Sequence, residues 1–250
     1  MRIMAVGAHP DDVEITCGGL VAKLASSGHE VGIADLSQGE LGSSGSRETR
    51  AKESARAAKI LGVSWRESCQ LPDTGIDHSS REQLRAVVEL VRRRRPDLVL
   101  SPYRHSRHPD HHEASEIVRR VIFLAGLRQY DACGSPFPSA RILYYMSDVQ
   151  FDPSLIVDVD EFFETKMMAV HAYASQFNRN RPDSYPTRLN EPGFLDRIVA
   201  RARFFGAMIG TGYAEGFLHE GPLRVEDPAR LIVDGMGPRR KAPLHKRRRK

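Results

Sequence analysis

Residues 3 to 14 read Ile-Met-Ala-Val-Gly-Ala-His-Pro-Asp-Asp-Val-Glu, and this stretch decides how the rest of the chain is read. The apolar run Ile3 to Val6 suits a fully buried strand. It breaks into Gly7 and Ala8, and His9, Pro10, Asp11 and Asp12 follow directly. Imidazole and carboxylate together form a donor set for a divalent cation such as zinc. Pro10 fixes the backbone between His9 and the two acids. Adjacent carboxylates on extended chain point to opposite sides, so one is free to face a substrate while the other holds a metal. An acid-rich turn after a strand would contain the same residue types. A second cluster weighs against that blander reading. His108-Pro109-Asp110-His111-His112 comes shortly after another buried-strand run, Leu98-Val99-Leu100-Ser101-Pro102.

Working outward, the pattern alternates strand and helix. Strands are expected at 2–7, 31–36, 64–71, 98–101, 142–146 and 155–159. Helices are expected at 18–27, from a Ser46 cap to Leu61, after a Ser79/Glu82 capping box, and over about 112–127, 161–176 and 194–209. Gly28 and Gly62 act as stops, and Pro96 ends the third helix. The run Arg92 to Arg95 reads as solvated cations at a helix C-terminus. This alternation predicts an α/β, Rossmann-like, mainly parallel sheet with helices on both faces. Right-handed crossovers give the strand order 3-2-1-4, with a switch between strands 1 and 4. Ligands bind such sheets beyond the carboxyl ends of the strands at the switch. His9–Asp12 follows strand 1 and His108–His112 follows strand 4, so topology and chemistry point to one crevice.

Composition narrows the class. The 250 residues suffice for one large domain or two small ones, and 40% apolar residues support a sizeable core. No window approaches the ~18 unbroken apolar residues of a membrane span, and the N-terminus shows no secretion leader. Cys17, Cys69 and Cys133 form neither a disulfide framework nor a zinc knuckle, which suits a reducing cytoplasm. The net charge is +5, but residues 239–250 hold eight Lys/Arg and no acid; taking those eight cations away leaves −3. The expected organisation is a single domain over 1–234 and a basic, disordered tail over 235–250. A polyanion-binding role through that tail is the alternative from a different class, and deleting 235–250 separates it from catalysis. The polar stretch 178–193, with three prolines, suggests a lid or subunit contact.

Catalytic zinc keeps three protein ligands and an open position for water. His9, Asp12 and one histidine of the second cluster supply the three. Asp11 is placed to take a proton from water. The remaining histidine, His108 or His111, is expected to stay cationic and stabilise developing charge or protonate a leaving group. Asp110 lies between them and orients the histidine that is not a ligand. These parts suit hydrolysis of an amide or ester, and by themselves they do not choose between those bonds and a phosphoester.

The motifs Ala8-His9-Pro10-Asp11-Asp12-Val13-Glu14 and His108-Pro109-Asp110-His111 resemble those of the LmbE/PIG-L family of metal-dependent N-deacetylases. Similarity continues through Leu71-Pro72-Asp73, Ala172-Tyr173-Ala174-Ser175-Gln176-Phe177 and Tyr213-Ala214-Glu215-Gly216-Phe217, from Arg2 to about Pro222. These stretches are similar to the bacillithiol-biosynthesis branch, which removes acetate from N-acetylglucosaminyl-malate. The resemblance implies His9, Asp12 and His111 as metal ligands, Asp11 as general base, and His108 as second catalytic histidine with Asp110 as partner. It places the substrate-binding arginine on Arg50, where a guanidinium suits a malate carboxylate. Arg107 is a further candidate for substrate contact. The implied cofactor is Zn2+, with Fe2+ compatible with the same ligands. The implied substrate is a GlcNAc-type glycoconjugate, with a mycothiol precursor, lipid-linked GlcNAc or chitooligosaccharide as alternatives. The implied assembly is a homo-trimer or hexamer. Some relatives carry a tyrosine where this chain has Phe194, so any hydroxyl needed there comes from elsewhere.

Overall fold

The strands are β1 (Arg2–Gly7), β2 (Glu30–Asp35), β3 (Trp65–Ser68), β4 (Leu98–Pro102), β5 (Arg141–Tyr145), β6 (Leu155–Asp158) and β7 (Ala214–Leu218). Between them run α1 (Asp12–Ser26), α2 (Arg47–Leu61), α3 (Arg81–Arg94), α4 (Pro109–Leu124), α5 (Asp160–His171), the short α6 (Ala174–Phe177) and α7 (Phe194–Ile209). This computed structural model describes residues 1–138, 140–182 and 184–226; Met1–Glu220 form one compact unit. The expected boundary at 234 and the tail at 235–250 lie outside the described residues.

All seven strands share one sheet, ordered β3-β2-β1-β4-β5-β7-β6. The first five are parallel to their neighbours, and β7 pairs antiparallel with both β5 and β6. The expected order 3-2-1-4 is therefore the left part of a wider sheet. Side chains of β1 alternate between two apolar layers, as strand geometry requires. Met4 and Val6 pack with Val87, Val88 and Val91 of α3 and with Ile117, Val118 and Val121 of α4. Ile3 and Ala5 pack with Val13, Leu20 and Val21 of α1, Ala57 and Leu61 of α2, and Ala169 of α5. Burial of β1 on both faces explains its unbroken apolar run. No helix among the described residues is long and apolar enough to cross a membrane.

Several expectations need correction. The first helix begins at Asp12, six residues before Gly18, because it is two helical pieces joined at a break. Cys17 is non-helical there, with φ −126° and ψ 18°. A break leaves N–H groups of the second piece and carbonyls of the first without intrahelical partners. The Glu215 carboxylate accepts from the N–H groups of Gly19 (3.0 Å) and Leu20 (2.8 Å). Lys166 Nζ donates to the Thr16 carbonyl (3.1 Å) and to Glu215 (2.6 Å). Both charges are buried, so removing either would cost about 3–5 kcal/mol through the partner left behind. A Cβ at Gly19 would come within 2.9 Å of Val159 Cβ, so the break also needs a bare backbone.

The cap of α3 is Ser80, accepting from the Gln83 N–H, and not Ser79, whose hydroxyl donates to Asp77. Arg92 is not a solvated cation. It is 4% exposed and donates to the carbonyls of Ala125, Leu127, Ala132 and Gly134, organising the loop after α4. The single helix expected over 161–176 divides into α5 and α6 around Ala172 and Tyr173. The helix expected from about 112 starts at Pro109, with His108 as its cap. The strand β7 had no counterpart in the sequence reading.

Candidate active site

Both clusters sit beyond the carboxyl ends of adjacent strands, β1 and β4. Asp11 carries φ 109°, in the left-handed region a β-turn asparagine or glycine would favour. That turn sends the chain straight into α1, so Asp11 stands at the N-cap position, its carboxylate turned to Arg50 and not to the helix N–H groups, while Asp12 starts the helix. The two carboxylates diverge because of this turn, and not through strand alternation. Arg50 holds the strained unit. Its Nη2 donates to the Pro10 carbonyl and, at 3.2 Å, to Asp11 Oδ2, while Nη1 donates to the Gly39 carbonyl at 3.2 Å. Gly39 has φ 64°, and a Cβ there would lie 2.1 Å from Arg50 Nη1. Arg50 is 5% exposed. The carboxylate its guanidinium meets is thus the protein's own Asp11.

His9, Asp12 and His111 come together. His111 Nε2 lies 3.1 Å from Asp12 Oδ1, and His9 Nδ1 lies 3.6 Å from Asp12 Oδ2. One ligand atom from each of the three falls within 4.8 Å of the others. His9 Nε2 is held by two further carboxylates, Asp73 Oδ1 and Asp110 Oδ2, each at 3.1 Å. Such partners put the proton on Nε2 and leave the Nδ1 lone pair for a cation. A second grouping, His9 with His108 and Asp110, has similar spacing, but the His9 nitrogen on that side already donates to carboxylates. The donor set His9–Asp12–His111 therefore fits a divalent cation.

Asp110 orients a histidine, though through its carboxylate that histidine is His9. Its backbone N–H donates to His108 Nδ1 at 3.3 Å, and its Oδ2 also accepts from the Thr74 N–H at 2.8 Å. His108 consequently carries its proton on Nε2. Its ring centroid lies 4.8 Å from that of His9 and 5.1 Å from that of His111. Arg107 stands at the rim, its side chain 65% exposed and its Nε 3.6 Å from Asp148.

The electrostatics follow from crowding. Burial opposes charge on His9, but hydrogen bonds to Asp110, Asp12 and Asp73 outweigh it and hold the imidazole well above its ordinary pKa. His111 is also raised, burial being overcome by Asp12. Asp12 is held well below the carboxylate range, His111 and His9 overriding burial. Asp11 is pushed up to about 7 by burial, against the pull of Arg50 and with Asp12 adding to the rise. His108 is lowered by burial and by the neighbouring His9 and His111. In the metal-free fold this opposes a cation at His108 and favours a neutral imidazole with its proton on Nε2.

Residues the sequence reading left without roles complete the site. Asp73 Oδ2 accepts from the Leu41 N–H (2.8 Å), and the Asp73 N–H donates to Glu40 (2.9 Å), tying the 38–45 loop to His9. Ser106 and Asp148 stand behind His111. Glu14, whose role was open between the site and the helix start, is fully buried; its Oε1 accepts from Arg66 and from the Tyr173 hydroxyl. Phe194 stacks on Phe177, centroids 6.0 Å apart. His112 is bonded to the Arg104 carbonyl (2.8 Å) and is no part of the donor set. Cys17 is a buried thiol pushed up by burial.

Comparison with known proteins agrees with this geometry. Residues 4–122 match the family described as PIG-L, GlcNAc-PI de-N-acetylase. Diacetylchitobiose deacetylase of Thermococcus kodakarensis is 30% identical over 244 residues, covering 89% of this chain and 86% of that protein. A 1D-myo-inositol 2-acetamido-2-deoxy-alpha-D-glucopyranoside deacetylase of Rhodococcus jostii is 27% identical over 181 residues, covering 59% of this chain and 62% of the other. Among solved structures, the conserved protein TT1542 from Thermus thermophilus superposes with a TM-score of 0.81 at 36% identity, over 89% of this chain and 96% of that one. The chain belongs to the PIG-L/LmbE family of deacetylases acting on GlcNAc-type substrates.

Proposed function

We propose that this deacetylase hydrolyses the N-acetyl group of a GlcNAc-type glycoconjugate at a divalent cation, Zn2+ first and Fe2+ second, held by His9, Asp12 and His111. The observation that carries the reading is the meeting of donor atoms from two separate motifs within 4.8 Å. A cation bound there supplies Lewis-acid polarisation of the acetamide carbonyl and of water. Asp11 takes the proton from the attacking water, and its carboxyl, raised to about 7, is matched to that work near neutral pH. Arg50 keeps Asp11 aimed rather than gripping substrate. Asp11 passes that proton on to the departing amine nitrogen, and His108, its Nδ1 being occupied by the Asp110 N–H, offers its Nε2–H as a hydrogen bond to the developing oxyanion. Asp110 and Asp73 fix the His9 ring.

For the substrate, the relative matched over most of both chains favours a diacetylchitobiose-type saccharide. N-acetylglucosaminyl-malate is the second reading. Exposed Arg107 and Arg188 at the rim, 3.6 and 3.8 Å from Asp148, offer cations for an anionic aglycone. The inositol conjugate named for the Rhodococcus relative is a third member of the panel. Three free cysteines support a reducing compartment, the cytoplasm, and we expect a trimer or hexamer. The test is acetate release from diacetylchitobiose, N-acetylglucosaminyl-malate and the inositol conjugate, with and without a chelator. Activity unaffected by the chelator, or by Asp11→Asn, would overturn the mechanism, and the preferred substrate decides among the saccharides.

A further inference from the structure

We infer that Asp148, acting through the Ser106 hydroxyl, is a positioning residue that sets the proton of His111 on Nδ1 and so reserves Nε2 for the cation. The inference rests on the proposed metal site and extends it to a carboxylate on the loop after β5.

One hydroxyl proton decides the arrangement. Ser106 Oγ lies 2.8 Å from Asp148 Oδ1, 3.3 Å from His111 Nδ1 and 3.2 Å from the His108 backbone nitrogen. A serine hydroxyl has one proton to give and two lone pairs. Asp148 is an ionised acceptor, held below the carboxylate range against burial by Ser106 and the Arg107 N–H. The hydroxyl proton therefore goes to Asp148. Both lone pairs then accept, one from the His108 N–H and one from His111 Nδ1–H. A proton on His111 Nε2 instead would leave two lone pairs facing each other at Nδ1 and Oγ, and would block the nitrogen that faces Asp12 at 3.1 Å.

Asp148 is itself anchored for this task. Its two oxygens accept from the Arg107 N–H at 3.3 and 3.1 Å, so the loop after β5 and the approach to α4 are clamped together. The two ligand histidines thus present opposite nitrogens, each fixed by carboxylate: His9 directly by Asp73 and Asp110, and His111 at one remove by Asp148. Outer partners of this kind govern metal affinity by about 10–100-fold.

The test is the zinc dissociation constant of the full-length protein, measured by competition with a chromogenic chelator. Ser106→Ala and Asp148→Asn are expected to weaken zinc binding by about 10–100-fold, while Ser106→Thr, which keeps the hydroxyl, restores it. A purely structural role would not be rescued by the hydroxyl alone. Ring-nitrogen NMR of the zinc-loaded wild-type protein gives a reading that needs no variant. The expected result is a protonated Nδ1 on His111; a protonated Nε2 overturns the inference. Wild-type zinc affinity in Ser106→Ala overturns it while leaving the metal site standing. Wild-type protein that binds no zinc overturns the metal site and this inference together.

Discussion

The two halves of the site are built differently. On the β1 side, His9, Asp11 and Asp12 are 9%, 3% and 8% exposed and are gripped by Asp73, Asp110 and Arg50 from three other segments. On the β4 side, His108 is only partly buried at the start of α4, and its neighbour Arg107 faces solvent. The buried half is over-determined, to the point of keeping Asp11 in a left-handed conformation. The half at the mouth contributes His111 to the donor set and otherwise presents the His108 Nε2–H and rim cations. In the proposed mechanism the first half supplies the base and two of the three cation donors, while the second supplies the third donor and meets the substrate.

That division is open to breakage by mutation. The largest effect is expected from Asp12→Ala, which should abolish both stoichiometric zinc binding and acetate release, as read by metal analysis and assay. Asp11→Asn should cut kcat by about 10²–10⁴-fold, the range for a general base, yet leave zinc content unchanged. A matching loss of zinc would erase the distinction between Asp11 and the ligands. His108→Ala should lower kcat by about 10²-fold, as loss of a single oxyanion donor does, with zinc affinity retained, because its ring lies outside the donor set. Arg50→Lys removes the fork that brackets Pro10 and Asp11; kcat should fall by about tenfold, less than for loss of the base itself.

The smallest effect is in the pH dependence of stability. His9 and His111 have raised values in the metal-free fold. A raised group contributes stability that is fully present below its unfolded value, about 6.5 for histidine, and lost as pH rises through the folded value. Metal-free protein should therefore lose melting temperature from pH 6.5 upward. Cation binding needs neutral imidazoles, so added zinc should raise the melting temperature more at pH 8 than at pH 6. Thermal melts across that range, with and without zinc, check the sign.

Much of this was legible in the sequence because its signals are local. The apolar run of β1, the Ser46 cap and Gly62 stop of α2, and Phe194–Ile209 of α7 declare themselves within a few residues. The two motifs carried the imidazoles and carboxylate that the fold brings within 4.8 Å of one another, and strand order placed them together. Long-range partners were not legible. Nothing near Gly19 shows that its N–H will meet Glu215, 196 positions away. Arg92 reads as a charged helix end until the loop it organises is seen. Arg50 has the chemistry of an anion binder, and only coordinates show that the anion is Asp11. A usable signal did exist for Asp73 and Asp148. Each lies a few residues past the carboxyl end of a strand, β3 for Asp73 and β5 for Asp148, on the same side of the sheet as the two motifs.

The central claim is that residues of two distant motifs grip one cation, and calorimetric titration of zinc into metal-free protein tests it most directly. Wild type should take up one equivalent, and His111→Ala and His9→Ala should each lose it. Undiminished uptake by either variant, or no uptake by wild type, would contradict the account.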